Sequence, residues 1–207
     1  MTSVNASSVL ETERLTLRRF ADCDADAALL LELDSDPEVM RYIGAAALTS
    51  VAAYRERIRT WRPYCERPGR GVWAVCERAT GGFLGWVMLR DATAHRLAAD
   101  IGWTLPSELE LGYRLKRAAW GRGFATEAAV AVPARLDPEV TAVVAVALVS
   151  NRGSTRVMEK VGLAFEREVP LPGFADAGAV YAARRRRLLS EVRGRRSEDR
   201  SQRTEQN

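Results

Sequence analysis

The ten residues from Val140 to Val149, VTAVVAVALV, carry no charge and are dominated by valine. A β-branched side chain loses rotamer freedom in a helix and sits well on a pleated surface, so the segment reads as a strand. Both of its faces are apolar, and a strand apolar on both faces must be covered on both. The chain is thereby committed to layers of helix packed on a sheet, an α/β arrangement.

The remaining elements follow from local pattern. ERLTLRRF (13–20) alternates and predicts a strand with one buried face. Asp22 is placed to cap the next helix, whose apolar members are Ala27, Leu30, Leu31 and Leu33. DPEVMRYIG gives a proline-led turn of helix, and a second helix runs from Ser50 through Trp61, ended by the 63–71 stretch. VWAVCERATGGFLGWVML folds back at Thr80-Gly81-Gly82 as a hairpin. Residues 91–107 form a longer connection, extended at DIGW, before the strand ELELGYRL (108–115). NRGSTRVMEKVG is a compact helix started by Asn151 and stopped by Gly162, and LAFEREV and AVYAARRRR are two closing strands.

With 207 residues, one domain with a sizeable core and a tail is expected. The net charge of +4 is unevenly spread: Arg184 to Asn207 holds nine arginines against four acids, so the other residues carry −1. A folded nucleic-acid-binding face needs basic residues on the domain itself, which leaves the tail as the one candidate for RNA contact. No run of 18 apolar residues and no secretory signal is visible. Cys23, Cys65 and Cys76 show no CxxC spacing and stand with a single histidine, His95, which reads as a loop residue. A reduced cytoplasm, no disulfide framework and no metal site are the expectation.

The segment WGRGFATEAAV (120–130) sets two glycines ahead of an alanine-rich helix. A helix N-terminus offers unpaired N–H groups and about half a positive charge, and glycines let a phosphate approach without meeting a Cβ. Arg122 adds a guanidinium and Thr126 a hydroxyl. Phe124 stands where a P-loop needs lysine, and Thr126 replaces the third glycine of a dinucleotide fingerprint. The pyrophosphate loop of the GNAT acyltransferases keeps both glycines, although Ala118 stands where that loop carries a leading Gln or Arg.

Four segments in order, LETERLTLRRF, DPEVMRYIG, ELGYRL…WGRGFATEA and NRGSTRVMEKVGL, resemble the GNAT superfamily, in particular the branch of the ribosomal-protein N-terminal acetyltransferases. The resemblance spans about residues 11–187, leaving 188–207 as a basic tail read as disordered. It implies a mixed, mostly antiparallel central sheet flanked by helices and splayed between the fourth and fifth strands. It implies transfer of an acetyl group from acetyl-CoA to a primary amine by direct attack in a ternary complex. The backbone of Arg122, Gly123, Phe124, Ala125 and Thr126 would hold the pyrophosphate, with Gly121 shaping the approach. Main-chain groups of Leu111, Tyr113 and Leu115 would pair with the pantetheine arm as with another strand.

Further roles rest on the same resemblance. Asn151 matches a pantetheine-binding position and is equally a helix cap. Ser154 matches the residue that protonates the departing thiolate, and also suits a first-turn serine satisfying an orphan N–H. Glu110 matches a glutamate able to take a proton from the amine, or is a surface carboxylate at a strand end. Glu127 suits the helix dipole better than base work. Tyr42, Trp103 and Tyr181 are the aromatic candidates for the acceptor pocket, although such residues also serve as core. A protein N-terminus, an aminoglycoside, a polyamine or a small metabolite amine all remain open as acceptor, as do a monomer and a homodimer. Ala118 keeps a second reading open, a catalytically degenerate acyl-CoA-binding sensor. Pro133 predicts a shortened helix after the loop.

Overall fold

The structure, a computed structural model, describes residues 9–133 and 139–184. The tail expected over 188–207 lies outside them. Eight strands form one sheet: β1 (Leu10–Glu11), β2 (Leu15–Arg19), β3 (Gly71–Glu77), β4 (Phe83–Asp91), β5 (Glu108–Leu115), β6 (Ala142–Leu148), β7 (Ala164–Val169) and β8 (Gly178–Arg184). Their order is β1-β2-β3-β4-β5-β6-β8-β7, antiparallel throughout except for the β5–β6 pair. The valine-rich segment is indeed central: β6 lies between β5 and β8, with Ala142, Val143, Val144 and Ala145 at most 3% exposed.

Alternation on the strands sorts the core into two layers. Leu15, Leu17, Val75, Val87, Leu89, Leu109, Leu111 and Val143 point to a face covered by α5 (Phe124–Ala131) and α6 (Arg152–Lys160). The opposite face is covered by α1 (Asp24–Ser35), α2 (Pro37–Met40), α3 (Val51–Cys65) and α4 (Ala98–Ile101). Strands buried on both sides follow from helices on both sides.

Three local expectations are corrected. Asp22 does not cap α1; Cys23 is the N-cap, and the Asp22 carboxylate accepts from Arg55 Nε at 2.9 Å and Arg59 Nε at 2.8 Å. Two guanidiniums on α3 outcompete one backbone amide. Helix α3 does not stop before Pro63 but runs through it to Cys65. DIGW is not extended: α4 includes Ile101, and Gly102 caps it in the left-handed conformation at φ 83°. Helix α5 does end early, at Ala131, two residues before Pro133.

Strand β5 is fixed to β4 by a seven-residue register from Gly85↔Leu115 to Asp91↔Leu109. Gly85 has φ 146°, and a Cβ there would lie 2.1 Å from the Arg114 carbonyl oxygen and 2.6 Å from Leu115 Cα. Backbone cannot yield as a side chain can. Gly85→Ala is therefore expected to cost about 3 kcal/mol or more, read as a lower urea midpoint at unchanged m-value.

Candidate active site

Strands β5 and β6 are paired at three positions only, Glu108↔Ala142, Leu109↔Val143 and Glu110↔Val144, and then separate. This is the splay expected between the fourth and fifth strands, which the short β1 renumbers as fifth and sixth. Lys116 donates its amide to Leu84 of β4 at 2.7 Å. Since main-chain groups alternate sides along a strand, Glu110, Gly112 and Arg114 also address β4, while Leu111, Tyr113 and Leu115 address the open side. The three candidates for pantetheine pairing are thus the residues whose backbone faces the gap. One group is already engaged, because Trp120 Nε1 donates to the Leu115 carbonyl at 2.8 Å.

The diglycine segment follows β5 through a 3-10 turn at Arg117–Ala119. Gly121 and Gly123 have φ of 73° and 81°, a region other residues enter at a cost of about 1 kcal/mol. Gly123 is the N-cap of α5 and contributes no side chain, so the cap leaves the first amides open. Among the described residues, no amide from Gly121 to Thr126 makes a hydrogen bond of good geometry to the protein, although the chain turns tightly over 120–123; the first such bond is Glu127 N to Gly123 O at 3.0 Å. The Thr126 hydroxyl likewise makes no hydrogen bond with the described residues, and Phe124 buries its ring beneath the loop. A row of unpaired N–H groups at a helix N-terminus is an anion site by its own electrostatics.

Two guanidiniums flank that row. Arg122 lies 4.5 Å and Arg14 4.7 Å from the centroid of the Phe124 ring. Arg122 pairs with Glu77 at 2.9 Å, and Arg14 donates to the Arg122 carbonyl at 3.0 Å. Arg14 was not legible as a site residue; it is 108 residues from Arg122 and only the sheet brings them together. Glu127 accepts from Thr12 Oγ1, the Arg14 amide at 2.9 Å and Arg14 Nε at 2.7 Å. It clasps the start of the sheet to α5, a more specific task than serving the helix dipole.

Across the gap, the Tyr113 hydroxyl donates to the Ser154 carbonyl at 2.8 Å and lies 3.0 Å from Ser154 Oγ. This contact ties β5 to α6, the helix that follows β6. Burial first, against a weaker opposing effect of the Ser154 hydrogen bond, pushes the phenol up, so Tyr113 keeps its proton at neutral pH. Asn151 does cap α6, its Oδ1 accepting from Ser154 N at 3.1 Å.

The opposite face carries Glu110, the last β5 residue paired to β6. It is not a surface carboxylate: it is 6% exposed, and Arg90, its cross-strand partner, donates Nε to Oε2 at 2.7 Å. His95, which reads from sequence as a loop residue, places Nε2 3.8 Å from Glu110 Oε1. Its ring meets Trp103 edge-on at 5.4 Å. Tyr42 and Phe174 pack against the cluster containing Trp103. Tyr181 does not join them. It lies on the α5–α6 face, with its hydroxyl 3.2 Å from Glu159 of α6, because its position on β8 has the opposite parity. No group of three or more His, Cys, Asp or Glu among the described residues could hold a metal ion, and none of their helices is long and apolar enough to cross a membrane.

The splayed sheet and the open helix N-terminus beside it are two features that the resemblance to the GNAT acyltransferases called for. Comparison with known proteins agrees: the family model described as "Acetyltransferase (GNAT) domain" matches residues 14–164. The chain belongs to the GNAT acetyltransferase family. It is 29% identical over 164 residues to the uncharacterized N-acetyltransferase YoaA of Bacillus subtilis, covering 77% of this chain and 84% of that one. It is 26% identical over 198 residues to the FsC-acetyl coenzyme A-N(2)-transacetylase of Aspergillus fumigatus, covering 90% and 80%. The fold is shared with the ribosomal-protein-S5-alanine acetyltransferase of Vibrio fischeri at a TM-score of 0.67 and 13% identity, covering 86% of this chain and 96% of that one.

Burial raises the Glu127 carboxyl, but hydrogen bonds from Thr12 and Arg14 and the Arg14 charge outweigh it and hold the group below the ordinary carboxylate range. A folded-state value depressed below the unfolded one, about 4.3, adds stability above that pH, lost as the pH falls through the folded value. Glu127→Gln should be less stable than wild type by about 1 kcal/mol at pH 7. The gap should close on acidification below pH about 4, as read by urea unfolding at a series of pH values.

Proposed function

We propose that the protein transfers an acetyl group from acetyl-CoA to a primary amine by direct attack in a ternary complex. The observation that carries this reading is the row of unpaired amides at Gly121–Thr126, set beside a strand whose free backbone faces the splay. The diphosphate of acetyl-CoA suits the amides of Arg122 to Thr126. Its pantetheine arm carries amides that match free main-chain groups of Leu111 and Tyr113. The carrier supplies an activated acyl carbon and a sulfur leaving group.

The chain's own groups then divide by face. Glu110, at the fork, takes the proton of the incoming amine so that the nitrogen lone pair is free to bond the acyl carbon. Ser154, in contact with the protonated Tyr113, gives its proton to the sulfur as the bond to that carbon breaks, and regains one through solvent from the second proton that the new amide nitrogen releases. A backbone N–H near Tyr113 would stabilise charge building on the acyl oxygen. The products are an N-acetyl amide and a free thiol. Most of the acceleration on this reading is positioning of amine and thioester.

The acceptor would approach over Trp103 and Tyr42, on the Glu110 face. A protein N-terminus, as in the ribosomal-protein branch, and a small-molecule amine are the two acceptor classes this reading puts forward. A second reading, an acyl-CoA-binding sensor, is favoured by Ala118, which offers no polar side chain ahead of the glycines.

Calorimetry should show binding of acetyl-CoA and CoA to the folded protein, and an amine panel should show acetyl-CoA consumption. Glu110→Gln should leave acetyl-CoA affinity within about threefold while lowering kcat by about a hundredfold. Binding without turnover on any amine would favour the sensor, and a folded protein that binds neither nucleotide would defeat both readings.

A further inference from the structure

His95 is the single histidine of the chain, and the 3-10 turn at Ala92–Ala94 that precedes it delivers it to Glu110. Its two nitrogens have different partners. Nδ1 accepts the Leu97 amide hydrogen at 3.0 Å, so the neutral ring must carry its proton on Nε2. That Nε2 faces Glu110 Oε1 at 3.8 Å, while Arg90 Nε holds Oε2 at 2.7 Å. Trp103, edge-on to the imidazole with an interplanar angle of 83°, fixes the plane of the ring.

We propose that His95 is a positioning residue for Glu110 in acetyl transfer: Arg90 binds Oε2, and the imidazole Nε2, beyond hydrogen-bond length at 3.8 Å, bounds the space beside Oε1 at the fork of β5 and β6. The proposal rests on the transferase reading above. His95 is not itself the base, because Nδ1 is occupied by Leu97 and Nε2 already carries the hydrogen. It acts through Glu110, fixing which oxygen is free for the proton of the amine.

The charged groups facing the ring are Glu110 on β5, Arg90 on β4 and Arg96 next in the chain; Trp103 brings none. Burial first, then Arg90 and Arg96, push the imidazole below its ordinary value, and Glu110 opposes them. The ring is therefore neutral at pH 7.

A single histidine makes the test direct. Imidazole ¹⁵N and ¹³C NMR of the full chain should show a neutral ring protonated at Nε2 and a midpoint below about 6.5. Glu110→Gln removes the one opposing carboxylate and should lower the midpoint further; Arg96→Gln should raise it. A midpoint and tautomer unmoved by Glu110→Gln would overturn the pairing. No acyl donor enters this measurement, so it stands whether or not acetyl-CoA binds.

The catalytic part is read with whichever amine of the panel turns over. His95→Gln can return an amide N–H to the Nε2 position, whereas His95→Asn keeps a group only near Nδ1. His95→Asn should lower kcat about tenfold at unchanged KM for acetyl-CoA. His95→Gln should stay within about threefold of wild type. Equal losses in both variants, or a loss that appears in KM rather than kcat, would overturn the positioning role. Absence of acetyl-CoA binding would remove the transferase reading while leaving the NMR outcome to decide the pairing.

Discussion

The rest of the structure depends on a pairing that stops. Parallel strands β5 and β6 share three residues and then part at Glu110↔Val144. A sheet that opens in its middle leaves backbone donors and acceptors without partners, which is costly unless water, side chains or a ligand take them up. The protein spends few side chains on the gap. Trp120 satisfies the Leu115 carbonyl and Tyr113 reaches across to Ser154, tying β5 to the helix that follows β6.

The divergence also sets up two unlike environments a few residues apart. On the α5–α6 face, unpaired amides meet Arg14 and Arg122 at the α5 N-terminus, and the carboxylates of Glu127 and Glu77 hold those guanidiniums in place. On the other face β4 and β5 present matched pairs, Arg90 with Glu110, Met88 with Gly112 and Trp86 with Arg114. A Cβ at Gly112 would lie 2.6 Å from Met88 Cε, so the strip between the Arg90–Glu110 and Trp86–Arg114 pairs is filled by methionine rather than left hollow. Arg114 in turn ties β5 to α1 through Asp34, which also accepts from Tyr54 of α3 at 2.8 Å. Helices α1 and α3 are therefore fastened to the strand that carries Glu110. Buried ion pairs of this kind contribute register more than net stability.

Much of this was legible because it is local. The hairpin at Thr80-Gly81-Gly82, the proline-led α2, the Asn151 cap and the left-handed glycines of the loop are each set by residues within a few positions. The two-faced apolar run of β6 called for cover on both sides, and six helices provide it among the described residues. Locality also explains the errors. Asp22 has the chemistry of a cap, but arginines 33 and 37 residues away claim it. Pro63 looks like a terminator, yet α3 continues through it.

The sequence by itself determined the layered class, the order of elements, the open amides before α5 and the alternation that turns Leu111, Tyr113 and Leu115 toward one edge. Period and turn chemistry are properties of neighbours in the chain. Only the tertiary structure decided which side chains meet. It set His95 and Arg90 on Glu110, Arg14 over Phe124 and Tyr113 against Ser154, and it sent Tyr181 to the face opposite Trp103. Those meetings depend on strand register and on where two strands stop pairing, and both are settled by contacts dozens of residues apart.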